Sequence, residues 1–271
     1  MGTCQCKNGT HHSLIKMKVE KKHKMKTMLI TGGSRDIGAA TALLASKEGY
    51  AVIVNYHKNK VATDRVVAQI KNKDGIAIAI QADITKEQEI KKLFSKTKHK
   101  LGNLDALINN AGILEPQMRF ETMNMERITN IFKTNVFALF LCTQQGIRLM
   151  ALSKGGNGGV IVNVSSLASK SGAPDEYIDN ASSKGAIDTF TIGLSKKIAP
   201  EGIRVNAVRP AFIYTDIHTD GGEPNRIERI KNTIPLKRGG QAKEVAEAIL
   251  WLASEKSSYC TGTFIDVTGG K

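Results

Sequence analysis

Residues that stabilise secreted or membrane-spanning proteins are scarce in this sequence. Among 271 residues there are 4 cysteines and 1 tryptophan, and aromatic residues make up 5%. No cysteine spacing indicates a disulfide framework, and Cys142 lies in an apolar helical run as a predicted core residue, so we expect a reducing cytoplasm. The longest apolar runs, such as Val136–Cys142, are far shorter than a membrane span. We therefore expect a soluble protein without a membrane partner.

Acidic residues are too few to balance the basic ones. The sequence has 39 lysines and arginines against 25 aspartates and glutamates, a formal net charge of +14. Nucleic-acid binding would be indicated by basic residues that cluster with aromatic ones, but the lysines are scattered over the faces of predicted helices. We interpret the charge as a solvated basic surface and predict no nucleic-acid partner.

The N-terminal segment is treated as separate from the fold. Residues 1–24 contain six lysines and one acidic residue, without the apolar centre of a signal peptide and without periodicity. They are interpreted as a disordered tail or as an extension upstream of the true start, for which Met25 is the candidate. A Cys-x-Cys pair and two adjacent histidines in this segment have metal-ligand chemistry but no apolar core to position them, so no metal site is predicted.

From Met25 onward, short apolar runs alternate with longer amphipathic stretches, as expected for one α/β domain over residues 25–271. The predicted strands are Met28–Thr31, Ala51–Asn55, Ile76–Gln81, Ala106–Asn109, Val160–Val164, Val205–Val208 and Phe264–Val267. The predicted helices are Ile37–Glu48, Val61–Lys71, Lys86–Lys98, Met125–Met150, Ala181–Ala199 and Lys243–Ser254. Because the strands are apolar on both faces, the pattern predicts a Rossmann-type doubly wound fold, with a seven-stranded, mostly parallel sheet and helices on both faces.

Residues 210–235 interrupt this alternation. They include Gly221, Gly222, Pro224 and many polar residues, so we predict a loop or lid with a short helix near Arg226–Lys231. Ligands of open α/β sheets bind beyond the carboxyl ends of the strands, and this segment follows such an end. We therefore expect it to shape a substrate pocket.

A glycine-rich turn, Thr31–Gly38, follows the first strand and opens the first helix. Its glycines permit a tight turn and let backbone N–H groups approach a phosphate at the helix N-terminus. A turn of this kind between a strand and a helix predicts a site for the pyrophosphate of a nicotinamide dinucleotide.

Further motifs accompany the turn in a specific order. They are Asn109–Gly112 after the fourth strand, Val164–Ser166 after the fifth, Asn180–Lys184 on the next helix and Pro210–Thr215 after the sixth strand. With these motifs the chain, from Met25 to Gly270, resembles the short-chain dehydrogenase/reductase family. It looks most similar to the glucose dehydrogenase-like and ketoacyl-reductase-like bacterial members.

The resemblance implies a nicotinamide cofactor, a small carbonyl or alcohol substrate, and two groups of site residues. The cofactor would be contacted by Gly32, Ser34, Arg35 and Ile37 at its phosphates, by Asp83 and Ile84 at the adenine, by Asn110, Ala111 and Gly112 at the adjacent ribose, and by Ile213 and Thr215 at the carboxamide. Asn135 would be a helix-organising polar residue and Ser166 would hydrogen-bond the substrate oxygen. Lys184 would bind the nicotinamide ribose and lower the pKa of a catalytic tyrosine.

The end of the second strand bears on the choice between NAD and NADP. Members that prefer NAD usually carry an acidic residue there, which binds the ribose 2′-hydroxyl. Here this position is Asn55, which would not repel a 2′-phosphate, and Arg35 and Lys58 could pair with that phosphate. The alternative is that both cations are merely solvated. We expect NADP(H) to be preferred over NAD(H).

Asn180 departs from the family pattern. The catalytic tyrosine of the family stands four residues before the lysine, and Asn180 occupies that place before Lys184. A carboxamide can hydrogen-bond a carbonyl but does not titrate, so a general acid–base contribution of about 10²–10⁴-fold would be lost. Tyr177 could substitute if the helix included it, but Pro174 indicates that the chain is still a loop there, which favours a pocket-wall or interface tyrosine.

Asp36 is a second departure, at a glycine position of the family's turn. A carboxylate about 5 Å from one charge of a pyrophosphate would cost roughly 3 kcal/mol at an effective dielectric near 20. We also expect Asp36 to cap the helix N-terminus and so to compete for the N–H groups that would bind phosphate, although pairing with Arg35 could reduce the repulsion. The prediction is weakened dinucleotide binding.

Two hypotheses for function follow. The chain is either an NAD(P)-dependent oxidoreductase with low turnover, which transfers a hydride between nicotinamide and a carbonyl or secondary alcohol, or a non-catalytic dinucleotide sensor or assembly subunit. The resemblance also implies a homotetramer, or a homodimer, whose interfaces would use the helices Met125–Met150 and Ala181–Ala199 and the strand Phe264–Val267. Residues 210–235 carry no charge pattern that is specific to one substrate class.

Overall fold

The computed structural model describes residues 25–174 and 176–271. Their strands, in chain order, are β1 (Thr27–Ile30), β2 (Ala51–Tyr56), β3 (Ala77–Gln81), β4 (Ala106–Asn109), β5 (Gly159–Val164), β6 (Ile203–Pro210), β7 (Ile213–Tyr214), β8 (Gly240–Gln241) and β9 (Phe264–Val267). The predicted N-terminal tail and its Cys/His motif lie outside the described residues.

Seven of these strands form one sheet in the order β3-β2-β1-β4-β5-β6-β9, and each neighbouring pair is parallel. The short strands β7 and β8 pair separately. The strand order reverses direction between β1 and β4, which is the kind of position where open α/β sheets bind ligands. The prediction of a doubly wound, seven-stranded sheet is confirmed.

Helices connect the strands and cover both faces of the sheet. The helices of the described residues are α1 (Asp36–Lys47), α2 (Lys60–Lys71), α3 (Glu87–Leu101), α4 (Met125–Phe132), α5 (Ala138–Met150), α6 (Ala168–Ser171), α7 (Ile178–Ile198), α8 (Ile217–Asp220), α9 (Arg226–Ile230) and α10 (Ala242–Ala253). None of them combines the length and the apolar character that a membrane crossing requires.

Each face of the sheet has its own apolar core, because successive strand residues point to opposite sides. In β1, Met28 and Ile30 belong to the core that includes residues of α1, α2 and α10, whereas Leu29 belongs to the core that includes residues of α3 and α5. All three side chains are fully buried. A strand solvated on one face would show polar residues at alternate positions, so the uninterrupted apolar runs predicted a sheet that is covered on both sides.

The structure corrects two predicted helices. The stretch Met125–Met150 is not one regular helix, because a π-helical turn, Lys133–Phe137, joins α4 to α5. Helix α7 begins at Ile178 rather than at Ala181, and its first turn is held by the buried ion pair of Asp179 with Arg127 of α4, at 2.7 Å. Polar residues at the start of a helix are typical of a loop when only the sequence is considered. The partner that holds this helical turn lies far away along the chain, so the local pattern does not predict the turn.

Residues 210–235 are called the lid segment below. This segment contains β7, α8 and α9, and α9 is the short helix predicted near Arg226–Lys231. The lid segment follows the carboxyl end of β6 directly, so it lies beside the edge of the sheet where the predicted site residues gather.

Candidate functional site

A cavity of about 1330 Å³ lies at the carboxyl ends of the strands. The predicted cofactor residues all line it, and so do Ser166, Asn180, Lys184 and Tyr177. Asn135 is the exception among the predicted site residues: it is buried behind the cavity wall, where its Oδ1 accepts a hydrogen bond from the backbone N–H of Ile113 at 2.8 Å. Residues spread over more than 180 positions of sequence are thus brought to one cavity.

The glycine-rich turn is compact and is fastened to the end of β4. Gly32 has a φ of +62°, which is unfavourable for other residues. The side-chain amide of Asn110 donates to the carbonyl oxygens of Thr31 and Gly32, both at 3.0 Å. A Cβ atom at Gly38 would lie 2.3 Å from the oxygen of Gly32, so only glycine allows the helix to start this close to the turn.

Asp36 occupies a backbone conformation that suits glycine. Its φ is +53°, in the left-handed region, which costs a non-glycine residue roughly 1 kcal/mol or more. The prediction that Asp36 caps helix α1 is wrong. Asp36 is the first helical residue, and its Oδ1 accepts a hydrogen bond from the backbone N–H of Asp216 in the lid segment, at 3.1 Å. The capping position belongs to Arg35, whose side chain makes no capping bond.

Arg35 is surrounded by carboxylates. Its guanidinium donates a hydrogen bond to Asp220 and lies 3.5 Å from a carboxylate oxygen of Asp36 and 3.7 Å from one of Asp216. The pairing of Arg35 with Asp36 that the sequence suggested is therefore present. We call these four residues the acidic latch, because they connect the glycine-rich turn to the lid segment. Burial raises the pKa of Asp36, since its charge is partly removed from water.

Asn55 holds the turn against the neighbouring strands. Its Nδ2 donates to the backbone oxygens of Ile80 and Ala82 at 3.3 and 3.2 Å, and its Oδ1 lies 3.5 Å from the backbone nitrogen of Gly32. The side chain is 2% exposed. Asn55 is therefore already bonded to backbone partners, and Lys58 is one of the cations that line the same cavity.

Lys184 lines the same cavity as the turn. It is 8% exposed, and its Nζ donates to the backbone oxygen of Val164 at 2.9 Å. Burial lowers the pKa of Lys184 to about 8, because the ammonium group is removed from water, while Asp188 opposes this shift only partly. Ser166 lines the same region and receives a hydrogen bond from the backbone N–H of Ala168, at 3.1 Å.

Asn180 lines the cavity and also uses its amide to bind the backbone. Its Nδ2 donates to the carbonyl oxygen of Ile113 at 3.1 Å. Asn135 binds the same residue twice, since its Nδ2 also donates to that oxygen, at 3.2 Å. Two carboxamides therefore fix Ile113, and the π-helical turn places Asn135 for this contact and for its bond to Ser183.

Tyr177 lies immediately before helix α7, with φ −129° and ψ 61°. Its side chain is 2% exposed, and its hydroxyl donates to the carbonyl oxygen of Gly221 in the lid segment at 3.1 Å. Burial raises the pKa of this phenol, which makes it a poorer source of a phenolate. This geometry supports the pocket-wall interpretation of Tyr177 over a role as a replacement acid.

Two buried polar residues of the lid segment are not predicted as site residues from the sequence. His218 and Arg226 line the cavity, with 5% and 8% of their surfaces exposed. In sequence they stand among other polar residues, which is the ordinary pattern of a solvated loop. Only the tertiary structure shows that they turn inward, so no spacing could have identified them.

The buried lysine leads to a prediction about stability and pH. Lys184 has a folded-state pKa of about 8 against an ordinary value of 10.5, so the unfolded chain binds more protons between these two values. The free energy of unfolding should therefore rise with pH in this window, at up to about 1.4 kcal/mol per pH unit. Denaturant titrations of the wild type and of Lys184→Met measure this, because the variant lacks the titrating group. A pH-independent difference between the two proteins would contradict it.

Comparisons with known proteins agree with this architecture. The family model described as enoyl-(acyl carrier protein) reductase matches residues 32–271. An uncharacterized oxidoreductase of Escherichia coli K12 is 53% identical over 247 residues, which cover 91% of this chain and 100% of that protein. A 3-oxoacyl-[acyl-carrier-protein] reductase of Synechocystis is 39% identical and covers 89% of this chain and 95% of its own length.

Solved structures agree as well. A dehydrogenase/reductase from Sinorhizobium meliloti superposes with a TM-score of 0.83 at 30% identity, over 90% of this chain and 94% of that one. A short-chain dehydrogenase/reductase from Serratia marcescens has a TM-score of 0.83 at 26% identity, over 92% and 99% of the two chains. The motifs, the sheet and these relatives lead to one conclusion: the chain belongs to the short-chain dehydrogenase/reductase family of oxidoreductases.

Proposed function

We propose that this chain is an NAD(P)-dependent oxidoreductase, acting on a small carbonyl compound or secondary alcohol, whose turnover is strongly reduced. The observation that carries the proposal is Asn180. It stands four residues before the buried Lys184, at the tyrosine position of the family, and its amide is engaged by the backbone of Ile113. In this proposal residues 25–271 act as one domain, and the lid segment covers the substrate.

The residues at the cavity fit a dinucleotide in most respects. A cavity of about 1330 Å³ is large for a ligand site, and it extends from the glycine-rich turn to Ser166 and Lys184. The turn offers backbone N–H groups at the start of α1 to the phosphates, and Lys184 offers an ammonium group to the nicotinamide ribose. The acidic latch opposes the phosphates. A bound nicotinamide dinucleotide would supply the hydride.

The side chains at the reacting end can orient and polarise a substrate, but they lack the tyrosine acid of the family pattern. In this proposal the Ser166 hydroxyl, which donates to the carbonyl oxygen of Pro210 at 3.4 Å, turns to donate to the substrate carbonyl, and Lys184 holds a positive charge in the same cavity below a pH of about 8. Neither Asn180 nor Asn135 titrates, so neither can deliver the proton that an alkoxide needs. Binding and polarisation are therefore retained, whereas the tyrosine hydroxyl that serves as the acid in the family pattern is absent.

The cation beside Asn55 predicts the cofactor preference. We expect NADPH to bind about tenfold more tightly than NADH, because Lys58 can pair with a 2′-phosphate that no acidic residue opposes there. Fluorescence titration of both cofactors measures the ratio. Lys58→Gln should bring the ratio close to one, while Lys60→Gln, which removes a cation outside the cavity, should leave it unchanged. Equal affinities in the wild type would contradict the preference.

A second candidate is a dinucleotide sensor or an assembly subunit on the same fold. It is favoured by the same residue, because the amide of Asn180 makes a structural hydrogen bond to Ile113 at the position where the family pattern has a catalytic tyrosine. The cofactor titration also separates these cases. Tight NADPH binding without turnover of any carbonyl supports a sensor, and absence of binding to either cofactor supports a purely structural subunit.

Members of this family are commonly oligomeric, and we propose a homotetramer or a homodimer for this chain. Several apolar side chains on the proposed interface helices are exposed in the single chain. Phe137 is 53% exposed and Ile192 is 43% exposed, on the helical segments that follow α4 and on α7 respectively. Exposed apolar residues that recur on neighbouring helices are typical of protein interfaces.

A further inference from the structure

Two buried nitrogen atoms beneath the lid segment lack hydrogen-bond partners within residues 25–174 and 176–271. They are Nδ1 of His218 and Nε of Arg226. Both residues are more than nine-tenths buried, and both line the large cavity. A buried polar group without a partner costs about 1–3 kcal/mol, so two of them on residues that line one cavity point to a ligand group that satisfies them.

The hydrogen bonding of His218 determines which ring nitrogen carries the proton. Its Nε2 lies 2.9 Å from the carbonyl oxygen of Ile213. A carbonyl can only accept, so Nε2 carries the proton and donates it. Burial, followed by the positive charge of Arg226, lowers the pKa of the ring, which keeps it neutral. Nδ1 is then a lone pair that can accept a hydrogen bond.

The contacts of Arg226 determine the orientation of its guanidinium, which carries the second of these nitrogen atoms. One terminal nitrogen of its guanidinium donates to Glu176, and the guanidinium carbon lies 4.9 Å from the ring centre of Tyr177 and 5.1 Å from that of Phe212. The two rings and the carboxylate hold the side chain in place. Its Nε lies 3.9 Å from Oε2 of Glu223, which is beyond hydrogen-bond distance, so the Nε–H is a donor without an acceptor.

A hydroxyl group satisfies one acceptor and one donor at the same time. It can donate its proton to Nδ1 of His218 and accept from Nε–H of Arg226. A carboxylate has no proton for Nδ1. It would also meet Glu176 and Glu223, which already balance the charges of Arg226 and Arg229. The local chemistry therefore selects a neutral hydroxyl group over an anion.

We propose that His218 and Arg226 form a hydroxyl-binding subsite, so that the substrate is a carbonyl compound with an additional hydroxyl group, or the corresponding diol. The inference rests on the proposed function, which places the reacting carbonyl at Ser166 in the same cavity. It also gives the lid segment a role in recognition, since α8 carries His218 and α9 carries Arg226.

Binding of matched ketones tests the subsite without requiring turnover. Hydroxyacetone is compared with butan-2-one, and 4-hydroxybutan-2-one with pentan-2-one, since each pair differs only by a hydroxyl in place of a methyl group. Ligand-observed NMR on the full chain, with and without NADP⁺, gives the dissociation constants. We expect the hydroxyketone of at least one pair to bind about tenfold more tightly than its partner ketone. This factor corresponds to the free energy gained when a hydroxyl group satisfies the two buried nitrogen atoms.

Variants assign the preference to the two side chains. His218→Gln can keep a donor near the Nε2 position and loses the Nδ1 acceptor, and Arg226→Lys keeps a cation and loses the Nε–H. Each should reduce the preference to about twofold or less. Glu228→Gln, at the outer face of the same lid segment, should retain it, and thermal melting verifies that each variant is folded.

Equal binding of both members of each pair by the wild type would overturn the subsite, and this comparison needs no variant. A preference that persists undiminished in folded His218→Gln and Arg226→Lys would overturn it as well. The proposed function fails separately: absence of NADPH and NADH binding rejects the oxidoreductase, whereas a hydroxyl preference measured in the same sample still supports the subsite.

Discussion

Replacing Asn180 with tyrosine is expected to raise NADPH-dependent carbonyl reduction by about 10²–10⁴-fold, the range of a general acid. The tyrosine hydroxyl would stand four residues, about one helical turn, from the buried Lys184, whose charge favours the phenolate. The substitution removes the bond from Asn180 to Ile113, but Asn135 still binds Ile113 through both its donor and its acceptor. The rate of NADPH oxidation with a panel of carbonyl compounds, hydroxyketones included, measures the effect.

Asn180→Phe is the matched control, because it introduces the same ring without the hydroxyl. It should leave the rate at the level of the wild type. If Asn180→Tyr combined with Asp36→Gly binds NADPH and yet stays inert across the whole panel, the idea of an enzyme impaired at this position is wrong, and the sensor hypothesis gains.

Asp36→Gly is expected to tighten NADPH binding by about 10²-fold. A carboxylate and a phosphate charge about 5 Å apart repel each other by roughly 3 kcal/mol at an effective dielectric near 20, and removal of this repulsion gives the stated gain in affinity. The same change should add about 1 kcal/mol to the free energy of unfolding, since glycine adopts a φ of +53° without strain. Fluorescence titration and denaturant unfolding measure the two effects.

Asp36→Asn separates charge from backbone strain. The asparagine removes the negative charge but keeps a side chain in the left-handed region, so it should recover most of the affinity and little of the stability. An NADPH affinity that is unchanged in both variants would show that the Asp36 carboxylate does not oppose the phosphates.

The architecture could be read from the sequence because it depends on local patterns. Strands such as β1, which contains Met28, Leu29 and Ile30 in succession, are apolar on both faces, which only a sheet covered on both faces requires, and the glycine-rich turn follows directly from φ demands at residues such as Gly32. The positions of Ser166, Lys184 and Asn180 at one cavity followed from the carboxyl-edge rule together with the family resemblance.

Other features depended on distant partners and were not predictable. The capping role expected of Asp36 was wrong because its left-handed backbone brings the carboxylate to Asp216, 180 residues later. The early start of α7 depends on Arg127, 52 residues before Asp179. His218 and Arg226 are ordinary polar residues in sequence, and only packing under the lid segment makes them part of a site.

In the acidic latch, Arg35 can pair either with a phosphate at the glycine-rich turn or with carboxylates of the lid segment. A phosphate that pairs with this guanidinium must take it from Asp220 and Asp216, so phosphate binding at the turn and attachment of the lid segment compete. Competition of this kind is an unfavourable, positive coupling free energy between two sites, and linkage requires it to be reciprocal. Contacts that hold the lid segment in place weaken the binding of an anion at the turn. The bound anion weakens the attachment of the lid segment by the same factor.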